Sequence, residues 1–150
     1  PKSVWAQTLA HPSTPDFAQT RTSAILNYGP EIRCVLSINH NYTKGPKFQT
    51  AQIRFDCQQG AAAVKLGLLL DYPKGEPDEV WICPTGKEQW ESVEFDGGWF
   101  PEAFIGIMSN LQRFALGEDH QLHTSAEDAF ETMRLVEACY ESSNSGGTEL

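Results

Sequence analysis

The sequence lacks an apolar run of the roughly 20 residues that a membrane-spanning helix requires, and it is poor in basic residues. It has 11 Lys and Arg against 20 Asp and Glu in 150 residues, a formal net charge of −9. Proteins that bind nucleic acids or anionic membranes need basic patches. We therefore expect neither a nucleic-acid partner nor a membrane partner.

Several motifs of nucleotide binding and catalysis are also missing. The sequence has no Gly-x-Gly-x-x-Gly after a strand, no phosphate-binding loop and no Gly-x-Ser-x-Gly nucleophile elbow. No Cys-x-x-Cys pair is present, which disfavours a zinc or thioredoxin-type site. We expect buried free thiols in a reducing, cytoplasmic compartment. These thiols belong to Cys34, Cys57, Cys83 and Cys139.

What the first hundred residues do contain is a series of β-type runs. Alternation of apolar and polar residues, bounded by Gly and Pro turns, is typical of strands. The Gly29-Pro30 turn joins two such runs and predicts a hairpin, and an apolar run on both faces predicts an interior strand at 61–70. The predicted strands are 4–9, 20–28, 31–42, 47–58, 61–70, 79–83 and 90–95.

The last fifty residues predict two amphipathic helices. The first begins at Pro101, carries apolar residues at helical spacing and ends before Gly117, which suits a left-handed cap. The second begins with a capping box of Thr124 and Glu127 and ends at 146–147. Each helix is expected to bury one apolar stripe. The stripe of the first helix consists of Phe104, Ile107, Met108, Leu111, Phe114 and Ala115. The stripe of the second consists of Ala126, Ala129, Phe130, Met133, Val136 and Tyr140.

Strands followed by helices indicate an α+β fold in a single domain, 1–150. We expect a mostly antiparallel open sheet with the two C-terminal helices packed on one face. The other face is semi-polar but includes Ile25 and Val35, which suggests a homo-oligomer interface. Its polar members are Arg33, Ser37, Asn39, Thr50, Gln52 and Arg54.

No pair of residues forms a self-sufficient acid–base or nucleophile site, so we expect a binding or assembly domain. Candidate substrate-pocket residues lie at strand ends or before the first helix. They are His40, Asp71, Tyr72, Trp99 and Phe100. His120 and His123 lie near carboxylates in the loop between the helices, but a metal site needs a third ligand and a rigid frame, so no metal site is predicted.

The chain also resembles a known family over nearly its whole length, and the last fifty residues are the most specific part of the resemblance. The matching segments are 99–106, 109–114, 117–119, 124–129, 132–133, 135–138, 140–143 and 146–148, with 38–40 and 60–64 earlier in the chain. Together they resemble the C-terminal domain of the glucose–fructose oxidoreductase / inositol dehydrogenase / MocA family of oxidoreductases. His123 departs from the proline often found before the second helix in relatives.

The resemblance implies a dihydrodipicolinate reductase-like or glyceraldehyde-3-phosphate dehydrogenase-like C-terminal domain. It implies redox chemistry on a sugar, polyol or related hydroxy or carbonyl compound. NAD or NADP would be bound by an N-terminal Rossmann domain that this chain does not include. The family's catalytic residues lie upstream of the matching part, so no catalytic or cofactor-binding residue is expected here and the chain alone is expected to be inactive.

Two alternatives remain open. The chain is a stand-alone small-molecule binding or dimerisation module without redox activity, or a metal-dependent hydrolase or isomerase that uses His40, His120 and His123.

Overall fold

In the part of the chain that the structure describes, seven antiparallel strands precede two long helices, as predicted. The structure is a computed structural model that describes residues 1–12, 16, 19–40, 42, 44–68 and 75–146. The chain divides into two units, Pro1–Thr43 with Thr124–Leu150, and Lys44–His123. The α+β class is confirmed. The predicted single sheet with both helices on one face is wrong, because the strands form separate sheets of three and four strands and the two helices belong to different units.

The first unit contains a three-stranded sheet and the second helix. Strand β1 (Ser3–Leu9) pairs with β2 (Arg21–Asn27), which pairs with β3 (Arg33–Asn39). The hairpin predicted around Gly29-Pro30 is thereby confirmed. Helix α2 (Ala126–Asn144) completes the unit and packs along β1.

The two faces of this sheet follow the alternation in the sequence. Ala24 and Leu26 are buried on one face, as their spacing predicts. On the other face, Trp5, Ile25 and Val35 lie opposite one another across the three strands. Their exposed fractions are 57%, 41% and 70%, so this apolar row faces solvent.

The outer edge of β1 is closed by two serines of α2. The backbone N–H groups of Ala6 and Thr8 donate to Oγ of Ser142 at 2.9 Å and Oγ of Ser143 at 3.0 Å. An open strand edge is a template for unwanted pairing, and side-chain acceptors on it block that pairing. The helix is therefore held to the strand by these hydrogen bonds.

The second unit contains a four-stranded sheet of consecutive strands. A 3-10 turn precedes β4 (Ala51–Cys57), and β5 (Gly60–Leu66) is an interior strand between β4 and β6 (Glu79–Pro84), as its apolar faces predict. Lys65 of β5 and Glu79 of β6 form an ion pair at 3.0 Å, and their hydrogen bond raises the pKa of the Lys65 ammonium and lowers that of the Glu79 carboxyl. The elements are Pro46–Phe48 (3-10), β4 Ala51–Cys57, β5 Gly60–Leu66, β6 Glu79–Pro84, β7 Glu91–Ser92 and α1 Ala103–Ala115.

Helix α1 ends as predicted but begins later. Gly117 has φ +76° and its N–H donates to the carbonyl of Phe114, while the N–H of Glu118 donates to that of Arg113, the Schellman arrangement. Pro101 lies in the turn before the helix, where Glu102 is the N-cap. Neither helix of the described residues has the length and apolar character to cross a membrane.

Three local expectations are wrong. The N-cap of α2 is Ser125, whose hydroxyl accepts from the N–H of Asp128, and not Thr124. The apolar stripe of α1 is exposed, and so is the N-terminal half of the α2 stripe, because α2 packs through its C-terminal half. The four cysteines are free, as expected, but Cys57 is exposed and the others are only half-buried.

Candidate functional site

The second unit has a cleft of about 820 Å³ between the segment before β6, the segment that follows β7 and the turn before α1. Binding sites of small molecules are usually clefts of this size with a few convergent polar groups. We call it the 75–102 cleft. Its described lining residues are Gly75 to Asp78, Ser92 to Gly98, and Trp99 to Glu102.

Trp99 is held in this cleft at two points. Its indole N–H donates to the carbonyl oxygen of Gly67 at 2.6 Å, and its backbone N–H donates to a carboxylate oxygen of Asp78. The other carboxylate oxygen of Asp78 accepts from the N–H of Gly67. One carboxylate therefore joins the end of β5 to the turn before α1, and the Gly67 carbonyl holds the indole.

Gly67 is required by this arrangement because the backbone approaches too closely for a side chain. A Cβ at position 67 would overlap the carbonyl oxygen of Glu76. The N–H of Glu76 donates to the carbonyl of Leu68 at 2.9 Å, which holds the two segments together.

Aromatic rings continue from Trp99 towards α1. The Trp99 and Phe100 ring centroids are 5.6 Å apart, and the Phe100 and Phe104 centroids are 5.8 Å apart in an edge-to-face arrangement. Such tilted and edge-to-face pairs are favourable. Trp99 keeps 38% of its surface exposed, so it presents an apolar surface to anything that enters the cleft.

The polar groups of the cleft are acidic. Five carboxylates line it, and none of its described lining residues is a Lys, Arg or His. A Cβ on Gly98 would lie 3.2 Å from Oδ2 of Asp78 and 3.6 Å from Oε2 of Glu102, so those two carboxylates flank the same point of the backbone. The five are Glu76, Asp78, Glu94, Asp96 and Glu102.

A second polar cluster lies at the other end of α1. Asn110 is only 2% exposed. Its Nδ2 donates to Oδ2 of Asp119 at 2.8 Å and to the carbonyl of Gln121 at 3.0 Å. Its Oδ1 accepts from the N–H of His123 at 2.9 Å. Asn110 thus provides hydrogen-bond partners for backbone groups of the loop that follows α1. The hydrogen bonds from Asn110 and Arg113 lower the pKa of the Asp119 carboxyl.

Comparisons of the chain with protein-family models, with curated proteins and with solved structures yield no match. The family resemblance therefore stays a prediction. What the chain binds has to be argued from the cleft and from the exposed surfaces of each unit.

The structure brings together two of the five predicted pocket residues. Trp99 and Phe100 both line the 75–102 cleft. His40 belongs to the first unit, where it is exposed after β3 and its N–H donates to the carbonyl of Thr20 at 2.9 Å. Asp71 and Tyr72 lie outside the described residues.

Sequence reasoning missed Asp78 and Asn110. Asp78 lies directly before β6, and the other pocket candidates were also taken from strand ends, so its position was a usable signal. Asn110 gave no such signal, since a polar residue on a helix is usually exposed. Among the described residues, no group of three or more His, Cys, Asp or Glu is placed to hold a metal ion.

Proposed function

We propose that the chain is the C-terminal domain of an NAD(P)-dependent oxidoreductase of the glucose–fructose oxidoreductase / inositol dehydrogenase / MocA family. It acts on a sugar, polyol or related hydroxy or carbonyl compound and supplies one wall of the substrate pocket. The 75–102 cleft carries the proposal. Carboxylates accept hydrogen bonds from hydroxyl groups, and an exposed indole packs against the C–H face of a sugar ring.

The reactive groups belong to another domain in this proposal. Hydride transfer needs a nicotinamide held by a glycine-rich turn and an acid–base group beside the substrate. NAD or NADP binds to an N-terminal Rossmann domain, and this chain contributes substrate contacts. The exposed apolar stripe of α1, which includes Met108 and Leu111, offers a surface for that domain.

The test is coenzyme turnover. The gene's upstream sequence should encode a Rossmann fingerprint, and the protein that includes it should change NAD(P)H absorbance with a polyol or sugar. The 150-residue chain alone should show no turnover under the same conditions. Turnover by the chain alone, or a native reading frame that starts at Pro1, contradicts the proposal.

The exposed row of Trp5, Ile25 and Val35 is the proposed subunit contact. A groove of about 500 Å³ runs over it, bordered by serines of β2, β3 and α2. Exposed contiguous apolar surface of this kind marks interaction sites, and a second copy would pair the same face with itself.

Sedimentation tests this contact. The chain should be a dimer or larger at tens of micromolar, and Val35→Glu should make it a monomer. Ile32→Glu is the control, because Ile32 is equally apolar and exposed but lies in the turn before β3. A monomeric parent chain, or equal effects of the two variants, argues against the interface.

The second candidate is a stand-alone small-molecule binding or dimerisation module. It is favoured by one observation, that the cleft and the apolar row each lie within a single unit of this chain. A native reading frame that begins here, with ligand binding and no coenzyme turnover, would select it.

A further inference from the structure

We infer that the 75–102 cleft accepts uncharged or amino-substituted polyols and rejects phosphorylated or carboxylated ones, with Trp99 as its stacking surface and Asp78 as the residue that positions Trp99. The inference rests on the proposed function and narrows its substrate class. It is carried by a cleft that combines one exposed indole, five carboxylates and, among its described lining residues, no basic side chain.

Four of the five carboxylates divide into two kinds, and the fifth, Glu76, interacts electrostatically with the Lys65 ammonium. Both oxygens of Asp78 already accept backbone hydrogen bonds, from Gly67 and Trp99. Asp78 is therefore a positioning residue, and its loss should act through the indole. Glu94, Asp96 and Glu102 line the same cleft and make no side-chain hydrogen bond or ion pair within the described ranges, so their oxygens are available to accept from a ligand.

Charge decides which polyhydroxylated ligand fits. A hydroxyl or ammonium group donates to a carboxylate, whereas phosphate and carboxylate groups only repel it. Phosphate recognition normally uses Arg, Lys or a helix N-terminus with free N–H groups. Repulsion from two carboxylates about 4 Å away weakens binding of a phosphate ester by about tenfold or more.

A divalent cation is the other occupant that carboxylates suggest. Calcium takes six to eight oxygen ligands from convergent carboxylates and carbonyls. The carboxylates that line the described cleft form no such group of three. Their spread along the cleft, with an indole between them, suits a ligand with several separate hydroxyl groups.

Calorimetric titration of the 150-residue chain tests the selection with four probes: myo-inositol, glucosamine, glucose 6-phosphate and gluconate. The first two should bind, and the last two should bind at least about tenfold more weakly. Glu102→Gln should reduce that difference, because it removes one charge and keeps the hydrogen-bonding shape. Equal or tighter binding of glucose 6-phosphate, or no binding of any probe, overturns the inference.

Trp99→Ala should weaken myo-inositol binding by about tenfold, as expected for loss of a stacking surface. Trp90→Ala is the matched control, since Trp90 is similarly exposed, lies beside Arg54 and does not line the cleft. Asp78→Asn should weaken myo-inositol binding and shift the Trp99 indole N–H resonance. An unchanged resonance, or an equal loss in Trp90→Ala, contradicts the assigned roles.

The outcomes separate this inference from the proposed function. Preference for glucose 6-phosphate would overturn the charge selection, but it would not contradict sugar oxidoreduction by the protein that includes the proposed Rossmann domain. Absence of coenzyme turnover by the longer protein would overturn the proposed function, and the titrations would still decide which ligands the cleft selects.

Discussion

Replacing Asn110 with alanine should destabilise the second unit by about 3–4 kcal/mol. The side chain is fully buried and makes three hydrogen bonds, two to backbone groups and one to the Asp119 carboxylate. A neutral hydrogen bond contributes about 1 kcal/mol and one to a charged group about 2 kcal/mol. The variant also leaves the N–H of His123 and the carbonyl of Gln121 without this partner.

Two measurements check this value. Urea unfolding followed by tryptophan fluorescence reports the second unit, because three of the four tryptophans lie there. Amide exchange at His123 reports the loop directly and should become faster in Asn110→Ala. Gln112→Ala is the control, since Gln112 is exposed on the same helix. A loss below about 1 kcal/mol, or unchanged exchange at His123, would refute the reasoning.

The remaining predictions concern a helix cap, a titration and a close approach. Ser125→Ala should lower stability by about 1 kcal/mol in thermal unfolding, and Thr124→Ala should have a much smaller effect. The pKa of Asp119 is lowered in the folded chain, so its contribution is present above its ordinary value of 3.8 and is lost as the pH falls through the folded pKa. The loss of folding stability between neutral and acid pH should therefore be smaller in Asp119→Asn than in the parent chain. An unchanged pH dependence of unfolding in this variant would contradict the prediction. Gly67→Ala should displace Trp99 and lower the yield of folded protein, whereas Gly106→Ala, with open space around its Cβ, should not.

Where the sequence predicted structure well, the signal was local. Strand alternation needs only neighbouring residues, and it placed Ala24 and Leu26 on the buried face of β2. The end of α1 at Gly117 follows from the conformational freedom of glycine. The start of α2 was wrong by one residue because Thr124 and Ser125 both have a hydroxyl. The backbone decides between them, and Ser125 has the extended conformation that a cap requires.

The candidate site was predicted only in part, for a related reason. Trp99 and Phe100 were found because they precede a helix, whereas the role of Asp78 depends on a hydrogen bond to a residue 21 positions away. Strand alternation also could not show that β4 to β7 form a sheet of their own, because it does not specify which strands pair.

The sequence by itself determined the order of the elements, the buried face of β2 and the C-terminal end of α1, since these depend on side-chain periodicity and on capping groups within a few residues. The tertiary structure alone decided which distant polar groups meet. Asp78 reaches Gly67 and Trp99, and Asn110 holds the loop to His123. Such contacts depend on how chain segments approach one another, and no short stretch of sequence contains that information.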